Sequence, residues 1–107
     1  MSKGIAGFGN IVKQAQELQE RLTKIQTEAG DKTVEGSAGG GMVTAMVNGR
    51  LEVVALRIEK QAVEGGDLEM LQDLIIAAVN QGIRSAQKLM ADEMSKVTGG
   101  LKIPGLT

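Results

Sequence analysis

The chain has 107 residues and a net charge of −1 at pH 7, with no histidine, no cysteine and one aromatic residue, Phe8. That length fits a single domain with a shallow core. The missing residue types exclude imidazole acid–base chemistry, thiol nucleophiles, disulfides and zinc sites of the common Cys/His kind.

The near-neutral charge gives no global attraction to nucleic acid or to anionic membranes. One aromatic side chain makes no platform for stacking single-stranded bases. The carboxylates fall mostly on helix faces, where solvated charge is the ordinary state, and their spacing suggests neither a metal nor an acid–base pair. The sequence thus points away from an enzyme, and to no cofactor, metal or small-molecule substrate. No apolar run approaches a membrane span, and the start MSKGIAGFGN lacks the apolar core of a signal peptide. A cytoplasmic protein with no membrane partner is expected.

In chain order, the first element is a helix. Apolar residues recur at Phe8, Ile11, Ala15, Leu18, Leu22, Ile25 and Ala29, alternating steps of three and four, with Val12 widening the seam. Such a stripe predicts a helix of roughly 33 Å lying along another helix over its whole length. Its regularity favours a protruding arm, and Gly30-Asp31 stops it.

The run VEGSAGGGMV, residues 34–43, comes next. It lacks the Gly-Lys-Ser/Thr ending of a phosphate loop. A dinucleotide fingerprint would have a strand before it and a helix after it, the reverse of this order. A structural role is expected, as the start of a strand where missing side chains permit a bulge or a close backbone approach.

MVTAMV (42–47), Asn48-Gly49 and LEVVALRIE (51–59) then read as a hairpin, since Asn-Gly readily adopts a type I′ turn. A two-residue loop would put Val43, Val47, Val54 and Leu56 on one face and Met42, Met46, Leu51 and Val53 on the other. A longer loop would reshuffle these sets. Either way both faces are apolar, and an isolated hairpin is marginal in water. One face can pack on the chain's own helices. The other face or the open edges need a partner, for which a second copy is the simplest candidate. Met42, Val43, Met46, Leu51 and Val53 are the expected dimer-interface residues.

After KQAVEGG (60–66), Asp67 can cap a second long helix, with Glu69 in its first turn. Its broad apolar face includes Leu68, Leu71, Leu74, Ile75, Ala78, Val79, Ile83, Ala86, Leu89, Met90, Met94 and Val97. Gly82 interrupts it at about 1 kcal/mol relative to alanine, which close helix–helix contact would explain. TGG (98–100) ends it, and LKIPGLT (101–107) is expected to be a mobile tail.

VEGSAGGGMV, VNG, LEMLQDLIIAAVNQGI (68–83) and KVTGGLKIPGL (96–106), in this order and spacing, resemble the signatures of the YbaB/EbfC family of bacterial nucleoid-associated proteins. The resemblance runs from about residue 8 to 106. It implies an α+β fold with a long N-terminal helix, a β-hairpin or small antiparallel sheet and a long C-terminal helix. It further implies a tweezer-like homodimer with a sheet core and projecting helical arms. The single domain would span 1–107, with 1–7 and 101–107 flexible. The resemblance also implies double-stranded DNA as partner, little sequence preference, and a nucleoid-associated location.

If both helices flank one hairpin, the start of the first and the end of the second meet at the tip of an arm. Residues 1–16 and 84–102 together carry six basic residues, Lys3, Lys13, Arg84, Lys88, Lys96 and Lys102, against Asp92 and Glu93. The body between carries six basic residues and eleven acids. A neutral protein could thus hold DNA at its arm tips by phosphate contacts while its body repels it. Those six cations are the candidate DNA-binding residues. Asn10, Gln14, Gln81 and Gln87 are better read as solvated helix residues than as base readers. The competing reading is a protein-interaction module whose arms clamp a partner protein, with weak or indirect DNA contact. The methionines Met42, Met46, Met70, Met90 and Met94 leave room for it.

Overall fold

The computed structural model describes the backbone of residues 2–98 and the side chains of residues 7–97. Lys102 and the tail at 101–107 lie outside the described residues, as does the side chain of Lys3. The order is α1 (Ser2–Glu28), β1 (Thr33–Ala38), β2 (Val43–Asn48), β3 (Val53–Ile58), α2 (Lys60–Glu64) and α3 (Leu68–Thr98). The strands form one antiparallel sheet with β2 at its centre.

The glycine run supplies a whole strand and a turn. Val34, Gly36 and Ala38 of β1 alternate with the exposed Glu35 and Ser37. Residues 39–41 then turn the chain, all three glycines at positive φ, where a Cβ would be strained. The hairpin loop differs from the expected two-residue turn. Asn48 is the last residue of β2, and the Leu51 amide donates to its carbonyl at 3.0 Å. Leu51 takes the left-handed conformation at φ 64°. The Asn48 side chain holds this loop. Its Oδ1 accepts from the Arg50 and Glu52 amides at 3.0 Å each, and its Nδ2 donates to Glu52. The longer loop changes the register, so Ala45 lies beside Gly36 and Leu56, and a bulge leaves Val54 between pairs.

α3 begins as its sequence predicts, with the Met70 amide donating to Asp67 Oδ1 at 2.9 Å. It lies across β1 and β2. Val43, Ala45 and Ala78 are wholly buried at the centre, with Leu71, Leu74, Ile75 and Val79 packed around them. Burying a valine of this kind contributes about 1.5–3 kcal/mol. The approach is close because glycine meets glycine. A Cβ on Gly36 would strike the Gly82 amide nitrogen and the Ala78 carbonyl. Gly82 therefore answers to a strand, not to the helix neighbour expected of it.

α1 leaves the opposite end of the sheet. Ala29 and Gly30 are buried beside the hairpin loop, where the Gly49 amide donates to the carbonyls of Gly30 and Lys32 at 3.1 Å. From there α1 runs outward, giving a molecule 77 × 25 × 17 Å in extent. The expectation that its seam lies on a helix over the full length does not hold within the described chain. Leu18, Leu22 and Ile25 are half-buried, whereas Phe8 and Ile11 are 68% and 64% exposed. The reason is that α3 uses most of its apolar stripe on the sheet and reaches α1 only with its last turns.

Candidate nucleic-acid interface

At the neck where α1 meets the sheet, two ion-pair clusters tie the elements together. Lys32 and Lys96 both donate to Glu93 Oε1, at 3.1 and 3.3 Å. These bonds, that from Lys32 foremost, hold the Glu93 carboxyl below the usual glutamate range. Arg50 spans the Asp31 and Glu52 carboxylates at 2.8 and 3.0 Å. Its guanidinium is raised first by Asp31, and it draws Glu52 down with help from Asn48. The neck thus links the α1–β1 connection to α3 and to the hairpin loop.

The neck also sets the levels of the candidate cations. Met90 and Ala29 both border Gly49, so α3 passes the root of α1 near residues 90–93. Lys13 lies 16 residues up α1 from there, and Arg84 lies nine residues before Glu93 on the part of α3 that crosses the sheet. At 1.5 Å per residue they are roughly 40 Å apart along the long axis. The described residues therefore do not meet at one arm tip as expected. Arg84 and Lys88, one turn apart, stand exposed on the side of α3 away from the sheet, and Lys96 stands at the neck.

Two of these cations are engaged within the chain. Lys88 pairs with Asp92 at 3.1 Å, and Lys96 with Glu93. Among the described residues, Lys13 and Arg84 have no ion pair, and neither do Arg21 and Lys24 of α1. Arg21 and Lys24 escaped the sequence argument because Glu17, Glu20 and Glu28 cancel them in a window count. The helical period already puts Lys24 on the face of α1 away from the seam and Arg21 on its flank, three residues from Leu18 and four from Ile25.

The expected dimer residues divide. Val43 is wholly buried under α3 and belongs to the chain's own core, because it shares with Ala45 and Val47 the face of β2 that α3 covers. Met42 and Met46 are half-buried. Leu51 and Val53 are 43% and 45% exposed, beside Val54 at 52% and Leu56 at 45%. α3 stops short of β3, leaving this strand both uncovered and at the open edge of the sheet.

This order of elements meets known counterparts. A sequence profile described as the YbaB/EbfC DNA-binding family matches residues 3–101. The chain belongs to the YbaB/EbfC family. Its relatives include nucleoid-associated proteins of Caldanaerobacter subterraneus subsp. tengcongensis, 53% identical over 99% of both chains, and of Thermoanaerobacter pseudethanolicus, 54% identical over the same shares. A nucleoid-associated protein of Syntrophobacter fumaroxidans is 51% identical, over 99% of this chain and 93% of its own. The fold matches the crystal structure of an uncharacterized protein from Helicobacter pylori with a TM-score of 0.75 and 23% identity, over 86% of this chain and 97% of that one. As a YbaB/EbfC protein the chain is a member of a DNA-binding family. The glycines that pack β1 against α3 lie within the matched region.

Proposed function

We propose that two copies of this chain, joined through β3, bind double-stranded DNA with little sequence preference, by phosphate contacts from α1 and from the outer face of α3. The setting is the bacterial cytoplasm, on the nucleoid, and the role is in nucleoid organisation or gene regulation. Family membership supports DNA as the partner. The observation that carries the finer reading is the placement of unpaired cations, Lys13 on the arm and Arg84 on α3, roughly 40 Å apart. One turn of B-form duplex is about 34–36 Å, so both can meet phosphates on one side of it. Such contacts position a protein without reading bases. The apolar surface of β3 supports the second copy, since an uncovered apolar edge strand invites pairing.

The test is anisotropy of a labelled random-sequence duplex at several salt concentrations, with unrelated duplex as competitor. Saturable binding that weakens steeply with salt and is competed by any duplex is the expected result. Neutralising Lys13, Lys88 and Lys96 together should flatten the salt dependence. An unchanged slope would put the contacts elsewhere. Absence of binding at low salt would favour arms that clamp a protein partner.

A further inference from the structure

The two edges of the sheet are not treated alike. The sequence reads Gln81 as a solvated helix residue, but in the structure its side chain has a backbone partner. The Ser37 amide of β1 donates to Gln81 Oε1, so this amide points away from β2, to where a further strand would pair. Gln81 reaches that edge because Gly82, the next residue, rests on Gly36 with no Cβ between them. Ser37 and Gln81 are both exposed, so the bond lies on the rim of the sheet.

β3 has no such cover. The Glu59 amide donates to the Met42 carbonyl, so by antiparallel alternation Arg57 and Ala55 face β2, while Ile58 and Leu56 turn their backbone groups outward. Among the described residues, no side chain bonds to those outward groups. Two copies joined through β3 would make one continuous sheet with β1 at both ends. An open β1 would let such pairs join edge to edge, and a β1–β3 contact between copies would propagate without closing.

We propose that Gln81 closes the β1 edge against a second copy of this chain, so that association goes through β3 and stops at two. The glutamine carbonyl is the same kind of acceptor as a peptide carbonyl, and from α3 it takes the Ser37 donor that an incoming strand would need. Its tether gives it an effective concentration that a free strand does not match. Glu35, two residues before Ser37, adds an exposed charge to the same strand. The limit of two rests on the β3 pairing proposed above, whereas the closure of β1 does not.

The test compares the full native chain with Gln81→Ala, which keeps a good helix former, and Gln81→Glu, which keeps the acceptor. Amide exchange at Ser37 is expected to be about tenfold faster in the alanine variant and close to native in the glutamate variant. Sedimentation velocity over a range of concentrations should show species larger than the native ones for Gln81→Ala alone. With Leu56→Lys added to disable β3, Gln81→Ala chains should still associate through β1, while Leu56→Lys chains do not. Equal Ser37 exchange in the native and alanine chains would overturn the proposal. So would faster exchange with an unaltered size distribution, or association that disappears on adding Leu56→Lys. A native chain that sediments as a monomer would sink the β3 pairing instead, and closure of β1 would then stand or fall on whether Gln81→Ala associates.

Discussion

Gly36 of β1 and Gly82 of α3 meet backbone to backbone, and neither position has room for a side chain. The two are not equivalent. At Gly36 the obstruction is the backbone of α3, which cannot yield without moving the helix. At Gly82 the nearest atom is Val47 Cγ2, 2.7 Å from where a Cβ would stand, and a side chain can shift. Gly36→Ala is therefore expected to cost about 3 kcal/mol, the upper end for overpacking. Gly82→Ala should cost clearly less, because alanine returns about 1 kcal/mol of helix propensity. Urea unfolding of both variants checks the order, and equal losses would contradict it.

Asn48 is 3% exposed, and its side chain closes the hairpin loop. Asn48→Ala leaves the Arg50 and Glu52 amides without their acceptor, at about 1–3 kcal/mol. Thermal unfolding should register the loss. Asn48→Asp keeps the acceptor oxygen but turns the Nδ2 donor to Glu52 into a second carboxylate oxygen, so it should also lose stability at neutral pH and regain part of it as the pH falls.

The pH dependence follows from Glu93. Its carboxyl titrates below the ordinary glutamate value of 4.5 in the folded chain, so its bonds to Lys32 and Lys96 contribute fully above that pH. Their contribution fades as pH falls through the lower folded value. Melting temperatures of the native chain and Glu93→Gln, taken from pH 7 down to 3, should converge at the acid end. Parallel profiles would show that the neck pairs contribute nothing measurable.

β3 gives the prediction for assembly. Leu56→Lys places a charge on a residue that is already 45% exposed, so the monomer fold should tolerate it. Under the proposed pairing through β3, sedimentation equilibrium is expected to show a dimer for the native chain and a monomer for the variant. An unaltered association constant would move the interface away from β3.

For DNA, removing one cation that neutralises a phosphate should lower the slope of log K against log salt by about 0.9. Arg84→Gln is expected to do so across unrelated duplex sequences. Asp92→Asn should act in the opposite sense, since it frees Lys88 from its partner at 3.1 Å. Tighter binding at low salt is the expected outcome. Weaker binding would mean that Asp92 orients Lys88 instead of competing for it.

The long helices, the Asp67 cap and the uncovered apolar strand were all legible, because periodicity and capping are written in neighbouring residues. β1 was hidden by Gly36. Its alternation of Val34, Gly36 and Ala38 with Glu35 and Ser37 is a strand pattern, but a glycine in the inward position hides it until its partner, Gly82, is known. The hairpin was legible while its loop was not. Asn48-Gly49 suggested a two-residue turn, whereas the left-handed position fell on Leu51, a residue type that rarely takes it. The cations were partly legible. Arg84 and Lys88 stood out in a charge count, while Arg21 and Lys24 were cancelled by neighbouring acids.

The sequence by itself determined which segments are helical, where they begin, and that more apolar surface exists than one small domain can cover. These are local properties, set by side-chain spacing and by residues that break or cap a helix. Only the tertiary structure decided which apolar surface is covered. α3 could have lain along α1 or across the sheet, since its stripe suits either. The absence of a Cβ at Gly36 and Gly82 lets it come closer to the sheet, and close packing won. That choice leaves β3 and the outer seam of α1 exposed, and it separates Lys13 from Arg84.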